Sequence, residues 1–241
     1  MRLVPLLLLL LASTLPASAN DLLEPVLHIA KGGSGHPQVA LTLDACGGAT
    51  DLRIIDTLID NEIPATLFLT RKWMLANPDV VRTLVAYPQL FELEDHGAEH
   101  VPAVLGSETV YGIKPAGTLE AIAAEIKGGA DALVASAAPA PHWYRDATAE
   151  YSPAALPLIS SMGLGVAGFS LNADYGASVF APKAQSQMIS AHDGDVIIAH
   201  MNQPKRPSGQ GIAAGILALK AKGFRFVRLE DVQTIGADGR S

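Results

Sequence analysis

The sequence predicts an α/β domain built around a parallel sheet, either open or closed into a barrel, and three observations carry that expectation. Short apolar, β-prone runs recur along the chain, helix-like segments lie between several of them, and the runs are continuously apolar, as in strands covered on both faces. The runs fall at residues 39–43, 65–69, 90–93, 142–144, 166–171, 196–199 and 224–229. Between the first two, residues 52–61 place Leu52, Ile55, Leu58 and Ile59 on one helical face. The segment opening at Asn77 offers a capping residue followed by Pro78 at the first helical position. Residues 118–127, 153–161 and 211–222 continue the helical series, and the Ala/Pro-rich stretch 135–141 reads as a loop within the domain.

Residues 1–19 read as a secretory signal peptide. Arg2 supplies the positive start, an apolar run follows, and Ala17-Ser18-Ala19 is a small-x-small cleavage site. The apolar run is interrupted by Pro5 and falls short of the roughly 20 residues a spanning helix needs. The expectation is an exported protein, periplasmic or extracellular, with no stable membrane insertion. Residues 20–241 then form a single domain large enough for a full hydrophobic core. Cys46 is the only cysteine, so the fold rests on packing and not on internal disulfides. The formal net charge of −7 and the lack of a basic cluster beyond Lys205-Arg206 argue against nucleic acid as a partner.

Polar residues gather where the apolar runs end. Asp44 follows the first run, Asp95, His96 and His100 the third, Arg145 and Asp146 the fourth, Asn172 and Asp174 the fifth, and His200 the sixth. In parallel α/β folds the carboxyl ends of the strands share one face, so these residues are expected to meet there. His96 and His100 are four apart, a spacing that puts two imidazoles on one face of a helical turn and makes half of a metal site.

Taken together these motifs resemble the polysaccharide deacetylases of carbohydrate esterase family 4, over essentially the whole chain from Val39 to Leu229. The stretch from Thr42 through Asp44-Ala45-Cys46 to Gly48 resembles the family's Thr-Phe-Asp-Asp-Gly, and His96-Gly97-Ala98-Glu99-His100 its His-x-x-x-His. Trp143 to Asp146 is similar to its Arg-Pro-Pro segment, Leu171 to Tyr175 to its Asp-Trp segment, and Val196 to His200 to its Leu-Leu-His segment. The resemblance implies a distorted (β/α) barrel of about seven parallel strands with the active site at the strand C-terminal face. It implies a hydrolase of carbon–nitrogen (non-peptide) bonds that removes N-acetyl, or O-acetyl, groups from an acetylated glycan at one Zn²⁺ or another divalent metal such as Co²⁺, Mn²⁺ or Ni²⁺. Peptidoglycan is the first substrate to consider, with chitooligosaccharide or an exopolysaccharide behind it. Alternatives are a non-catalytic glycan-binding relative using the same cleft and a hydrolase of another amide or ester.

Carried over by position, the resemblance makes Asp44 the general base, His200 the general acid, and His96 and His100 metal ligands, with Asp95 or Glu99 as supporting partners. Arg145 would hold Asp44 by charge pairing, and Asp174 would orient His200 or Arg145. One departure stands out: Ala45 occupies the position of the family's metal-binding Asp and has no donor atom. Asp51 returning through a flexible Gly47-Gly48 loop is the favoured replacement ligand. Asp44 acting as the ligand itself, a weakly binding inactive site, and Cys46 as a soft thiolate ligand with no clear aim toward the metal are the other readings. Residues 102–115 and 203–210 are long enough to shape a substrate cleft.

Overall fold

The computed structural model describes residues 22–33 and 35–236; residues 1–19, expected to be a signal peptide, lie outside the described residues. In chain order the elements are β1 (Leu27–Ile29), β2 (Gln38–Ala45), α1 (Leu52–Asp60), β3 (Ala65–Leu69), α2 (Arg71–Ala76), α3 (Pro78–Ala86), β4 (Phe91–Asp95) and α4 (Leu119–Ala135). They continue with β5 (Trp143–Tyr144), α5 (Ala155–Ser161), β6 (Gly165–Val166), β7 (Leu171–Asn172), α6 (Ala181–Ile189), β8 (Val196–His200), α7 (Ser208–Ala221), β9 (Arg225–Val227) and β10 (Thr234–Gly236). The main sheet is parallel throughout, in the order β6-β5-β4-β3-β2-β8-β7, with β9 paired to the first residues of β2.

The sheet curls into a distorted barrel, and the chain itself proves the curvature. The expected run 166–171 is not one strand: it breaks after Val166 and resumes at Leu171, so β6 and β7 sit on opposite edges of the sheet. Laid flat, the six gaps of that order would separate the edges by about 29 Å. Five residue steps reach at most about 17 Å. The linking residues bind both rims, Ala167 donating to the Tyr144 carbonyl at 2.9 Å and Ser170 to the Val196 carbonyl at 2.9 Å. Among the described residues this split raises the expected seven strands of the sheet to eight.

Alternation along the strands sorts side chains into two layers. Val39, Leu41, Leu43 and Ala45 of β2 pack outward with Ile54 and Leu58 of α1 and Ile212 and Ile216 of α7. Ala40 faces inward with Phe68 of β3 and Val196 of β8, where Leu27 and Ile29 of β1 close the N-terminal end of the barrel. That apolar plug leaves the opposite, C-terminal end for polar side chains.

Helix starts follow the sequence closely. Asp51, Thr70 and Thr118 cap α1, α2 and α4 through side-chain oxygens that accept backbone N–H groups, and Pro78 sits in the first turn of α3. Helix α4 runs eight residues past its expected end at 127, through Gly128-Gly129. Those glycines are contacts and not breakers: a Cβ on Gly129 would lie 1.9 Å from the Asp95 carboxylate and 2.7 Å from the Gly97 carbonyl. The short α2 and the weakly patterned α6 are elements the periodicity did not announce, as is the antiparallel pair β1 with β10. No helix among the described residues is long and apolar enough to cross a membrane.

Candidate active site

Inward-facing positions at the C-terminal ends of the strands converge on one cleft of about 610 Å³, whose lining includes Asp44, Cys46, His100, Asp146, His200 and Asn202. Asp44 ends the inward series of β2 and is buried. Arg145, fully buried just after β5, reaches across the barrel to it: Nη1 donates to Asp44 Oδ1 at 2.8 Å and to Thr42 Oγ1 at 2.8 Å. The rest of the guanidinium is satisfied by the carbonyls of Ala167 and Gly168 at 3.2 and 3.0 Å, and its Cζ lies 4.2 Å from the Phe68 ring centroid. Burial alone would raise the Asp44 carboxyl, but Arg145, with His96 and His200, holds it below the ordinary carboxylate range.

His200 closes β8. Its Nδ1 lies 2.8 Å from Asp174 Oδ1, and its backbone N–H donates to Asp174 Oδ2 at 2.8 Å, so the fully buried Asp174 fixes both ring and main chain. Against the burial that disfavours its charge, Asp174 and then Cys46 hold the His200 imidazolium well above the usual histidine range. Asp174 therefore orients His200, and Arg145 is oriented by carbonyls and Asp44 instead.

The two remaining histidines sit in a loop and not on the helical turn their spacing predicts. Gly97 at φ +84° and His100 at φ +66° turn the chain back on itself, which brings the rings edge to face with centroids 5.0 Å apart. The loop is held from both sides. Arg71 and Lys72 at the start of α2 donate to the carbonyls of Gly97 and Ala98 at 3.0 and 2.9 Å, and Glu125 Oε1 accepts from the N–H of Glu99 and of Val101 at 2.7 and 3.1 Å. His96 Nδ1 lies 2.8 Å from the Arg145 carbonyl, which only accepts, so Nδ1 carries a proton and Nε2 faces the cleft side. Asp95 and Glu99 do not support these rings as expected: Asp95 accepts from the Gly97 N–H at 2.8 Å, and Glu99 pairs with Arg71.

Cys46 comes forward where Asp51 does not. In an extended strand, residues two apart share a face, so Cys46 follows Asp44 inward while Ala45 points into the outer core. Its Sγ is 3.5 Å from His96 Nε2, and donor atoms of Cys46, His96 and His100 all lie within 4.8 Å of one another. Asp51 is instead the N-cap of α1, buried and bound by Arg53 through Nε at 2.8 Å and Nη2 at 2.5 Å, outside the cleft lining. Nor is the glycine loop free to carry it inward. Thr70 Oγ1 donates to the Cys46 carbonyl at 3.0 Å, Asn202 Nδ2 to Gly47 at 2.5 Å and Asn77 Nδ2 to Gly48 at 2.8 Å.

The chemistry of this donor set fits a divalent cation. His100 Nε2 is buried with no hydrogen-bond partner among the described residues, an arrangement that a metal bond relieves. Burial would raise the Cys46 thiol, yet His100, His200 and His96 together leave it well below the ordinary thiol range. His96, in spite of burial, is pushed up to about 9 by Asp44 and then by Cys46. Asp44 Oδ2 stands 3.9 Å from His96 Nε2 but falls outside the three-donor group, so the carboxylate lies beside the set and is not part of it.

Among the lining residues, Tyr111 and Ile113 come from the expected 102–115 segment and Gln203 and Arg206 from 203–210, and Tyr175 joins them. Tyr111 and Tyr175 are exposed. Asp146 is buried and spent on local structure, accepting from Ala103 N and from Thr148 N and Oγ1. Of the site residues, sequence reasoning undervalued Cys46 and missed Asn202. The alternation Asp44-Ala45-Cys46 was the available signal for the first; Asn202 lies just beyond β8 with no motif to mark it.

No curated protein sequence matches this chain. Solved structures do. A peptidoglycan deacetylase PdaC from Bacillus subtilis superposes with a TM-score of 0.67 at 19% identity, over 82% of this chain and 90% of that one. A family 4 carbohydrate esterase from Streptomyces lividans, solved in complex with acetate, gives 0.63 at 18% identity over 82% and 93%. A CE4 family pseudoenzyme from Bacillus anthracis gives 0.66 at 16% identity over 84% and 67%. The fold thus carries both deacetylases and a pseudoenzyme, and the side chains of the individual cleft have to decide between them. The sequence profile described as polysaccharide deacetylase matches residues 31–167, and the chain belongs to that family.

Proposed function

We propose that this protein is an exported, divalent-metal-dependent deacetylase that hydrolyses N-acetyl or O-acetyl groups of a glycan, with peptidoglycan the first candidate. The observation that carries the reading is the pairing in the cleft: Asp44 held by Arg145 and His200 held by Asp174 share it with the Cys46, His96 and His100 donor group. Each pair has one committed atom and one atom left to work. Arg145 occupies Asp44 Oδ1, leaving Oδ2 on the side of the donor group to accept a proton from an attacking water. Asp174 occupies His200 Nδ1, leaving Nε2 to donate its proton to the departing nitrogen or oxygen.

A bound cation would polarise the acetyl carbonyl and the water as a Lewis acid. His96 and His100 would hold it. The water oxygen bonds to the acetyl carbon, the bond from that carbon to nitrogen or oxygen breaks, Asp44 takes the water's proton and His200 supplies one to the leaving group. Acetate and a free amine or hydroxyl result. Tyr111 and Tyr175 give the rim flat faces on which sugar rings can rest.

Ala45 supports a second reading, a glycan-binding pseudoenzyme, because it removes the carboxylate that the family pattern places there. One experiment separates the two: acetate release from N-acetylated and O-acetylated glycans by purified protein stripped of metal and then given Zn²⁺ or Co²⁺. Metal-restored release from peptidoglycan fragments or chitooligosaccharides is expected. Glycan binding with no release from any substrate, while metal is bound, overturns the hydrolase reading in favour of the pseudoenzyme.

A further inference from the structure

We propose that Cys46 is the third protein ligand of the metal centre, so that a thiolate with two imidazoles, Cys46, His96 and His100, replaces the carboxylate lost at position 45. The inference rests on the deacetylase reading for its purpose but not for its test. Three features of the fold carry it. The first is direction: β2 alternates, so the backbone that sends Ala45 into the outer core sends the next side chain into the cleft.

The second is proximity. Cys46 Sγ and His96 Nε2 are 3.5 Å apart, and all three donor atoms lie within 4.8 Å of one another. Ligand bonds of about 2.3 Å to sulfur and 2.0–2.1 Å to nitrogen in a tetrahedral set put neighbouring donors about 3.3–3.6 Å apart. The Cys46–His96 pair already stands at that distance, and closing the widest remaining gap by at most about 1.5 Å completes the set, with the fourth position open to water and substrate. The third is support. The Cys46 carbonyl is bound by Thr70, Gly47 by Asn202 and Gly48 by Asn77, while His96 is aimed by the Arg145 carbonyl. Both partners of the cation are thus held by a second layer of hydrogen bonds, as metal ligands are. His100, whose Nε2 is buried without a hydrogen-bond partner among the described residues, supplies the remaining donor.

Charge arithmetic explains why the exchange is tolerated. A thiolate and two neutral imidazoles carry the same −1 as a carboxylate and two neutral imidazoles, so the cation meets the same net field. What changes is softness: sulfur favours Zn²⁺ and Co²⁺ over the oxygen-seeking Mn²⁺ and Mg²⁺. A centre of this composition should discriminate against manganese.

X-ray absorption at the zinc edge of the purified full chain reads the ligand directly. One sulfur at about 2.3 Å with two nitrogens at about 2.0–2.1 Å is expected. In Cys46→Asp the sulfur shell should vanish and an oxygen at about 2.0–2.2 Å appear, with zinc retained. The Co²⁺ form should show a thiolate-to-cobalt charge-transfer band in the near ultraviolet that Cys46→Asp and Cys46→Ser lack. Losing even a supporting residue weakens metal binding about 10–100-fold, so Cys46→Ala should weaken zinc by about 100-fold or more. A wild-type zinc shell of nitrogen and oxygen alone, or unchanged zinc affinity in Cys46→Ala, overturns the proposal. Acetate release measured on the same samples keeps the two readings apart. A sulfur shell without release sinks the hydrolase and leaves the ligand set; release from an all-nitrogen-and-oxygen site does the reverse.

Discussion

In the proposed reaction Asp44 is the proton acceptor, and its neighbours make that role separable from metal binding. Because it lies beside the three-donor group and not within it, Asp44→Asn should leave zinc affinity within a few-fold of wild type while lowering kcat about 10²–10⁴-fold, the usual worth of a positioned general base. Zinc titration beside acetate release checks both halves; a large loss of zinc would make Asp44 a ligand. Asp174 acts at one remove, through His200. Asp174→Asn keeps the shape but removes the charge that favours a protonated ring, so kcat should fall toward the lower end of that range with KM little changed. Equal losses in kcat and in substrate affinity would mark a collapsed cleft instead. These residues were legible in the sequence because strand-end acids and histidines have few other reasons to recur at the close of successive apolar runs. Cys46 is not, because the apolar run ends at Leu43; the backbone stays extended through Ala45, and that two-residue extension decides which side chain faces the cleft. The helical spacing of His96 and His100 misled for a related reason: two left-handed backbone positions, Gly97 and His100, replace the turn, and single-sequence spacing carries no record of φ.

Elements divide into those that announce themselves and those defined only by what they pack against. Strands β2, β3, β4 and β8 are buried almost throughout and are readable from their apolar runs; β6 and β7 are two residues each and take their identity from the rims they join. Helix α1 illustrates the other kind of error, since Asp51 is a polar residue at a strand-to-helix junction and its true use is structural. Asp51→Ala should cost about 0.5–2 kcal/mol of stability, as lost N-caps do, and leave zinc affinity unchanged. Denaturant unfolding and zinc titration on one preparation would show it, and weakened zinc binding would return Asp51 to the metal site. Strand β4 carries a different load. Glu92 and Glu94 are buried two residues apart on its inward face, Glu92 accepting from Thr66 Oγ1 at 2.6 Å and Glu94 from the N–H of His142 and Trp143 at 2.8 and 2.7 Å. Burial first, with the charge of Glu92, pushes Glu94 from 4.5 up to about 9. The native state therefore keeps a proton that the unfolded chain releases. Stability from this group is full below about pH 4.5, falls as pH rises and is gone above about 9. The slope is at most about 1.4 kcal/mol per pH unit. Glu94→Gln should flatten the decline of Tm between pH 5 and 9, and an unchanged slope would acquit this carboxyl.

At the scale of the whole molecule, the site and the barrel hold each other together. The sheet's two rims are joined by four residues of backbone and not by a strand pair, so closure depends on what spans the interior. Arg145 does much of this, binding Asp44 on β2, Thr42 on β2 and the two carbonyls of the linking segment from a wholly buried position. A cation on Cys46, His96 and His100 would add a second tie, between the end of β2 and the loop after β4, which are not direct neighbours in the sheet order. A bound metal would then stabilise the fold as well as serve the proposed reaction, because the unfolded chain does not hold the three donors together. Free zinc at about a thousand times its dissociation constant stabilises by about 4 kcal/mol, which for a domain of this size raises Tm by about 10 °C. Calorimetry with zinc and with chelator tests this without any substrate. The full shift should persist in Asp44→Asn, which spares the donors, and should be largely lost in His96→Ala. A Tm indifferent to chelator in the wild-type protein would mean that the donors do not bind metal in the native state, and the barrel would then be closed by Arg145 and packing alone.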